Sequence, residues 1–380
     1  MKPRFTLRDF LKQEGSSGFL LMSAATLGLV LANSPIADQY KNILSAGFKI
    51  DSSYFYLSLT TAKVINYFLM SIFFLVVGME IKRELLSGHL SSLKKAAAPF
   101  AAAIGGMFVP AIIFISIVSG EGRSGWAIPV ATDIALAIGV LTLMGSRVNF
   151  AMKAFLLALA VIDDIGAIAI IAVFYSKNLG IAWLLSGVGI FILIYLVLKM
   201  GYNSKMLTIA HALVLWYCFY RAGIHPTLAG VLLGFALPES IELEHKLHPW
   251  SSYLIIPLFA LANTGVVISN TAISNALKSE VALGIFMGMV IGKPLGIYLF
   301  TKVAEKVGIA EAPIQNGKFS MLATGNAAGI GFTVAIFISE LAFTDPNLQA
   351  IAIITVIAAS ITSGLLSIFF HRLSPISSDY

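Results

Sequence analysis

An all-α bundle of twelve transmembrane helices is the fold class this sequence predicts, on three observations. The chain of 380 residues is 58% hydrophobic and only 12% charged, with mean hydropathy +0.89. A water-soluble chain carries about a quarter charged residues. Half that density excludes both a cytosolic enzyme and a disordered regulator. The apolar residues fall in long runs parted by short polar ones, and one crossing takes about 20 residues. Helices satisfy their own backbone inside lipid, so residues 1–380 read as a single membrane domain. The net charge of +6 is spread along the chain, which points to topology and lipid rather than nucleic acid. Cys218 is the only cysteine, so no intrachain disulfide is available.

The first span is expected at about 15–34. Lys2, Arg4, Arg8 and Lys12 precede it and resemble a signal peptide, but Asp9, Glu14 and the lack of a small-x-small cleavage site favour a retained helix. The outer connection that follows, about 35–59, is the longest. Its Phe48–Tyr56 stretch is strand-like, and reads either as a hairpin pairing with another subunit or as a plain exposed loop. Further spans are expected at about 60–81, 96–118, 126–144, 150–175, 180–200, 204–220, 223–237, 250–270, 281–301, 319–343 and 349–371. With the amino terminus inside, 17 Lys and Arg fall on the inner side and 7 on the outer, Lys293 lying within the membrane. The positive-inside rule then makes both termini cytoplasmic.

Asp133, Asp163, Asp164 and Lys293 lie well inside predicted spans. Each costs roughly 2.5–3.5 kcal/mol on insertion scales, so such residues usually mark ion or proton pathways. One buried ion pair fixing helix packing would account for Lys293 and one aspartate, and would leave two carboxylates without a protein cation. Neighbours on a helix point about 100° apart, so Asp163 and Asp164 cannot both face one partner. One can meet Lys293 while the other faces water. Two neighbouring buried carboxylates hold protons or a hard cation. Without a Cys cluster or imidazole beside them, sodium or lithium fits better than a transition metal.

Two spans look interrupted. In the fourth, AIPVATDIALAIG, Pro129 removes a helix donor ahead of Thr132 and Asp133. In the eleventh, TGNAAGIGFTVAIFIS, Gly325, Gly329 and Gly331 loosen the backbone before Thr333. Broken helices at corresponding depths point to a transporter site at a repeat interface, with about 96–175 and 281–371 as candidate inverted repeats. Free half-helix ends carry partial charges that Asp133 and Lys293 are suited to compensate. In the tenth span, MVIGKPLGIYLF, Gly292 and Gly296 allow close helix approach.

GMEIKRELLSGHL, GWAIPVATDIALAIGVLTLMGSRVN, LALAVIDDIGAIAIIAVFYS, GIHPTLAGVLLGF, LEHKLHPW, IGKPLG and GIGFTVAIFI together resemble the NhaA family of bacterial sodium/proton antiporters, in the same order from about residue 10 to 372. Inverted repeats are an established feature of that family, so the two broken spans are not an independent sign of them. The resemblance implies twelve helices with crossed, broken fourth and eleventh members, a homodimer, and a bacterial inner-membrane location. It makes Asp163 and Asp164 the essential aspartate pair, with Asp164 the sodium ligand and Asp163 pairing with Lys293 in one state. Thr132 and Asp133 match the unwound fourth helix. Glu80, Arg83, Glu84, Glu244, His245 and His248 match the family's cytoplasmic pH-responsive region, and His225 a histidine linked to the pH profile. Charged residues at a helix end and histidines capping a surface turn would look the same.

The expected activity is electrogenic export of Na+ or Li+ against H+, about two protons per sodium, rising at alkaline pH and needing no cofactor. Three other readings stand beside it. A sodium-coupled solute symporter would need an organic-substrate pocket. An intramembrane aspartyl protease would carry GxGD, where this chain has DDIG. In a passive channel, the buried lysine beside the carboxylates would oppose rapid cation flow.

Overall fold

The computed structural model describes residues 16–52, 55–88, 90–145, 148, 150–176, 179–201, 204–238, 240–311 and 317–374. Six of the Lys and Arg counted above for orientation, Lys2, Arg4, Arg8, Lys12 and Arg147 on the inner side and Lys177 on the outer, lie outside them. The fold is almost wholly helical, with one small antiparallel hairpin. Six helices among the described residues are long and apolar enough to cross a membrane, or nine if three bent pairs each count as one span.

The chain divides into two compact units. The first takes in Met1–Met22, Glu84–Ala167 and Val266–Tyr380. It holds α4 (Leu93–Ile117), a 3₁₀ helix (Gly120–Val130), α5 (Ile134–Leu143) and most of α6 (Phe150–Phe174). Its second half contributes α12 (Asn270–Lys278), α13 (Glu280–Lys306), α14 (Gly317–Ala328), α15 (Phe332–Ala342) and α16 (Pro346–Leu373). The second unit, Ser23–Arg83 with Ile168–Gly265, holds most of α1 (Ser16–Ala32), then α2 (Ala37–Ser45), β1 (Gly47–Asp51), β2 (Tyr56–Thr60) and most of α3 (Thr61–Leu86). α7 (Ile181–Lys199), α8 (Lys205–Ala222), α9 (Thr227–Ala236), α10 (Ile241–Trp250) and α11 (Ile256–Asn263) complete it.

Within the first unit Ala102, Leu141, Met152, Leu159 and Ile297 form the centre of a buried apolar cluster. α13 lies along α4 at very short range. A Cβ on Gly105 would come 2.2 Å from the Gly296 carbonyl oxygen, and one on Gly296 would come 2.1 Å from that of Gly105. Only glycine allows such an approach. Asp345 caps α16 by accepting from the Asn347 N–H at 2.9 Å, and Pro346 occupies the first turn, where its missing N–H is harmless. In α13 the turn Gly288–Gly292 widens to π geometry, the Lys293 N–H reaching back to the Gly288 carbonyl. Pro294 has no N–H to continue the regular ladder.

The second unit packs around Leu215, Trp216, Phe219 and Ala229. The hairpin pairs Gly47 with Thr60 and Asp51 with Tyr56. All of β1 is exposed, while the β2 N–H groups of Tyr56 and Ser58 donate to the hydroxyls of Tyr217 (3.2 Å) and Tyr220 (3.1 Å) on α8.

The seventh to ninth predicted spans, all in this unit, do not form helices that meet the length and hydropathy of a crossing. α8 reaches 18 residues but carries Lys205, His211 and Arg221. α9 has only 10, about 15 Å of rise against a hydrocarbon core of about 30 Å. The 241–263 stretch passes from α10 through a π turn at Ser251–Ile255 to the 8 residues of α11.

Candidate functional site

The two breaks expected from sequence occur in the first unit. The 3₁₀ helix and α5 are bent by 50°, and the pair α14 and α15 by 48°. The first interruption is not at Pro129, which sits inside the 3₁₀ helix, but at Ala131–Asp133. The two interruptions touch. The Asp133 N–H donates to the Ile330 carbonyl at 2.6 Å, and a Cβ on Gly331 would lie 2.8 Å from the Ala131 carbonyl oxygen. Gly331 therefore permits the contact.

Four helix ends converge there, and three side chains answer their partial charges. Asp133 serves two positive ends. Its Oδ1 accepts from the Leu136 N–H at 3.1 Å, capping α5. Its Oδ2 accepts from the N–H of Thr333 at 3.1 Å and from its hydroxyl at 2.6 Å, in the first turn of α15. Lys293 answers a negative end, its ammonium donating to the Val130 carbonyl that closes the 3₁₀ helix. Thr132 answers the other, its Oγ1 lying 2.9 Å from the Ala328 carbonyl at the end of α14.

α6 delivers the aspartate pair. Lys293 Nζ is 2.9 Å from Asp163 Oδ2, both groups fully buried. The Thr132 Oγ1 is 2.8 Å from the same Oδ2. A hydroxyl has one proton, so Thr132 donates to Asp163 or to Ala328, not to both. Asp164, one residue on, keeps 9% of its surface exposed, the largest fraction among the four buried charges. It lies within electrostatic reach of Lys293. Thr333, with the Val130 and Ala328 carbonyls, joins a site whose other members stood out in the sequence. Its signal was a threonine just after a glycine break, as Thr132 precedes Asp133.

The seven residues matched to the pH-responsive region fall in different places. In the second unit Arg83 Nη1 bonds Glu244 Oε1 at 2.6 Å, and His245 and His248 lie exposed on α10 beside it in sequence. Glu80 is half-buried on α3 and Glu84 is buried. His225 stands apart, its Nδ1 2.7 Å from Thr227 Oγ1 and its ring edge-on to Tyr67. It precedes α9 while Glu244 follows it, so the length of that helix separates them.

A multi-pass chain with carboxylates and a lysine buried where two broken helices meet has the build of a secondary transporter. The profile of the family described as Na+/H+ antiporter 1 matches residues 8–370. The chain is 43% identical over 368 residues to the Na(+)/H(+) antiporter NhaA 1 of Clostridium beijerinckii, covering 94% of this chain and 92% of that one. It is 42% identical over 372 residues to the Na(+)/H(+) antiporter NhaA 2 of Erythrobacter litoralis (95% and 92%), and 43% over 347 residues to the Na(+)/H(+) antiporter NhaA of Proteus mirabilis (89% and 88%). The chain belongs to the Na+/H+ antiporter 1 family.

Proposed function

We propose that this protein is a transporter, not an enzyme, and exports Na+ or Li+ in exchange for H+ across the bacterial inner membrane. The observation that carries the reading is Lys293 bonded to Asp163, with Asp164 beside them and less buried. Asp164, the most exposed of the four and within electrostatic reach of Lys293, takes the cargo cation with help from Asp163. Bare carboxylates are costly in a low-dielectric core. The site therefore changes sides only when loaded with sodium or with protons, and that restriction couples the two flows.

When Asp163 takes a proton, Lys293 keeps the Val130 carbonyl as acceptor and Thr132 turns its proton to Ala328. Two protons in for each sodium out move one positive charge inward, worth about 2.3 kcal/mol per 100 mV. Acid fills the carboxylates with protons and blocks sodium, so exchange rises at alkaline pH. Glu80, Arg83, Glu84, His225, Glu244, His245 and His248 are assigned to tuning that response. The architecture assigned is twelve spans with both termini cytoplasmic, inverted repeats over about 96–175 and 281–371, and crossing fourth and eleventh members. α9 and α11 would complete their crossings with the flanking residues. The hairpin β1–β2 is assigned to a homodimer contact.

Proteoliposomes with a pre-set pH gradient and a trapped pH dye test this. Sodium and lithium should collapse the gradient, more strongly at high pH, while potassium and choline do not. Asp164→Asn should abolish the response. A wild-type protein indifferent to every cation would end the antiport reading.

A further inference from the structure

Outside the broken-helix site, a row of buried polar groups runs along one face of α16. Ser360, Ser363, Ser367 and His371 follow at spacings of three, four and four, which stacks them on one side of a helix. All four are at least nine-tenths buried, the last three completely. The three hydroxyls and both His371 ring nitrogens have no hydrogen-bond partner among the described residues. This differs from Thr355 on the same helix, whose hydroxyl donates to the Ile351 carbonyl at 2.7 Å.

The row faces α14. Phe319 and Phe370 stack at 6.4 Å near one end, and at the other a Cβ on Gly329 would lie 3.1 Å from Ser363 Oγ. α14 adds buried Ser320, Thr324 and Asn326, and the Asn326 Oδ1 is also unpartnered. Ser363 to His371 covers about 12 Å of helix. The seam thus starts beside Gly329, one residue from the Ala328 carbonyl that Thr132 reaches, and Thr132 leads on to Asp163, whose Oδ1 is unpartnered too. It ends in the last turn of α16, which carries His371 and Arg372.

Buried polar atoms without protein partners are ordinarily satisfied by ordered water. We propose that the seam between α14 and α16 holds a file of ordered waters and carries protons, but not sodium, between the Arg372 end of α16 and Asp163. The inference rests on the exchange proposed above. Hydroxyls, water and imidazole each take a proton on one side and release one on the other, so a proton leaving the Asp163 carboxylate emerges at His371 and nothing is oxidised or reduced. Neither α14 nor the Ser360–His371 stretch of α16 contains a carboxylate, so a sodium ion finds no charged oxygen on the two helices that form the seam.

Two exchange modes separate the routes. Sodium-driven proton movement needs the seam, whereas exchange of labelled sodium for unlabelled sodium does not. Ser367→Val and His371→Leu should slow the first by about tenfold, equal to about 1.4 kcal/mol on a proton step, and leave the second unchanged. In a Cys218→Ala background, the thiol of a Ser367→Cys variant should react with a small water-soluble methanethiosulfonate. Wild-type proton flux in both variants, equal slowing of both modes, or an inert thiol would each overturn the proposal. A wild type that moves no protons with sodium would instead end the antiport reading, and the thiol reaction would still report on the water file.

Discussion

The two helix breaks bend their chains alike, by 50° and 48°, and are opposite in chemistry. The first, Ala131–Asp133, supplies side chains: Thr132 and Asp133 reach out from an extended segment. The second, Gly329–Gly331, supplies backbone: the Ile330 carbonyl accepts from Asp133, and the glycines leave room for the neighbouring chain. It carries no ionisable group, yet both of its helix ends are answered, the positive end by Asp133 and the negative end by Thr132. The negative end of the first break is answered by neither strand of the crossing but by Lys293 on α13. Two breaks of similar bend can thus be served by an unequal set of charges. The second break depends on the first for its electrostatics, and the first depends on the second for space.

The largest effect should come from the one side chain outside both breaks. Lys293→Met leaves a buried carboxylate and the Val130 carbonyl without their cation, and removing one partner of a buried pair costs about 3–5 kcal/mol. Thermal unfolding in detergent should show it, and Lys293→Met with Asp163→Asn should recover most of the loss. A double variant no more stable than the single would show that the pair does not hold the crossing together.

Next comes the space that the second break provides. Gly331→Ala places a methyl 2.8 Å from the Ala131 carbonyl oxygen, and overpacking of this kind costs about 1–3 kcal/mol. Trimming the first break tests the converse. Thr132→Val removes the one donor that Asp163 and the Ala328 carbonyl compete for and should cost about 1–3 kcal/mol, whereas Thr333→Val leaves its N–H on Asp133 and should cost about 0.5–1.5 kcal/mol. Equal losses for the two valine variants would mean that the breaks share the work evenly.

What was legible in the sequence follows the same division. Asp133, Asp163, Asp164 and Lys293 stand out because charge is rare in apolar runs, and Gly329 and Gly331 because two glycines flank one residue. The partners were not legible. Thr333 meets Asp133 from 200 positions away, and the Val130 and Ala328 carbonyls carry no residue-type signal at all. Thr132 and Asp133 do fall in the unwound segment that the resemblance implied, but what opens the backbone there is the same kind of distant contact. Pro129 marks a lost donor, but the backbone extends only at Ala131–Asp133, where the second break offers a carbonyl. Hydropathy likewise located α8, α9 and α11 without fixing their lengths, since flanking apolar residues outside a helix raise the same signal.

The smallest effect belongs to a titrating group away from both breaks. His248, on α10, is an exposed residue whose ring is partly desolvated, and this holds it below the ordinary histidine value. Glu244 pulls the other way, while His245 and Arg83 add to the lowering. A lowered value means that the unfolded chain takes up a proton before the folded one does, so stability is full above the unfolded value and falls as pH drops through it toward the folded value. Between about pH 7.5 and about pH 5.5, either side of the ordinary histidine value of about 6.5, wild type should lose unfolding temperature and His248→Gln should lose less. The sign separates a histidine that folding keeps neutral from one that Glu244 keeps charged. A variant that loses more than wild type over that range would place His248 in the second class, as a cation paired with Glu244 in competition with Arg83.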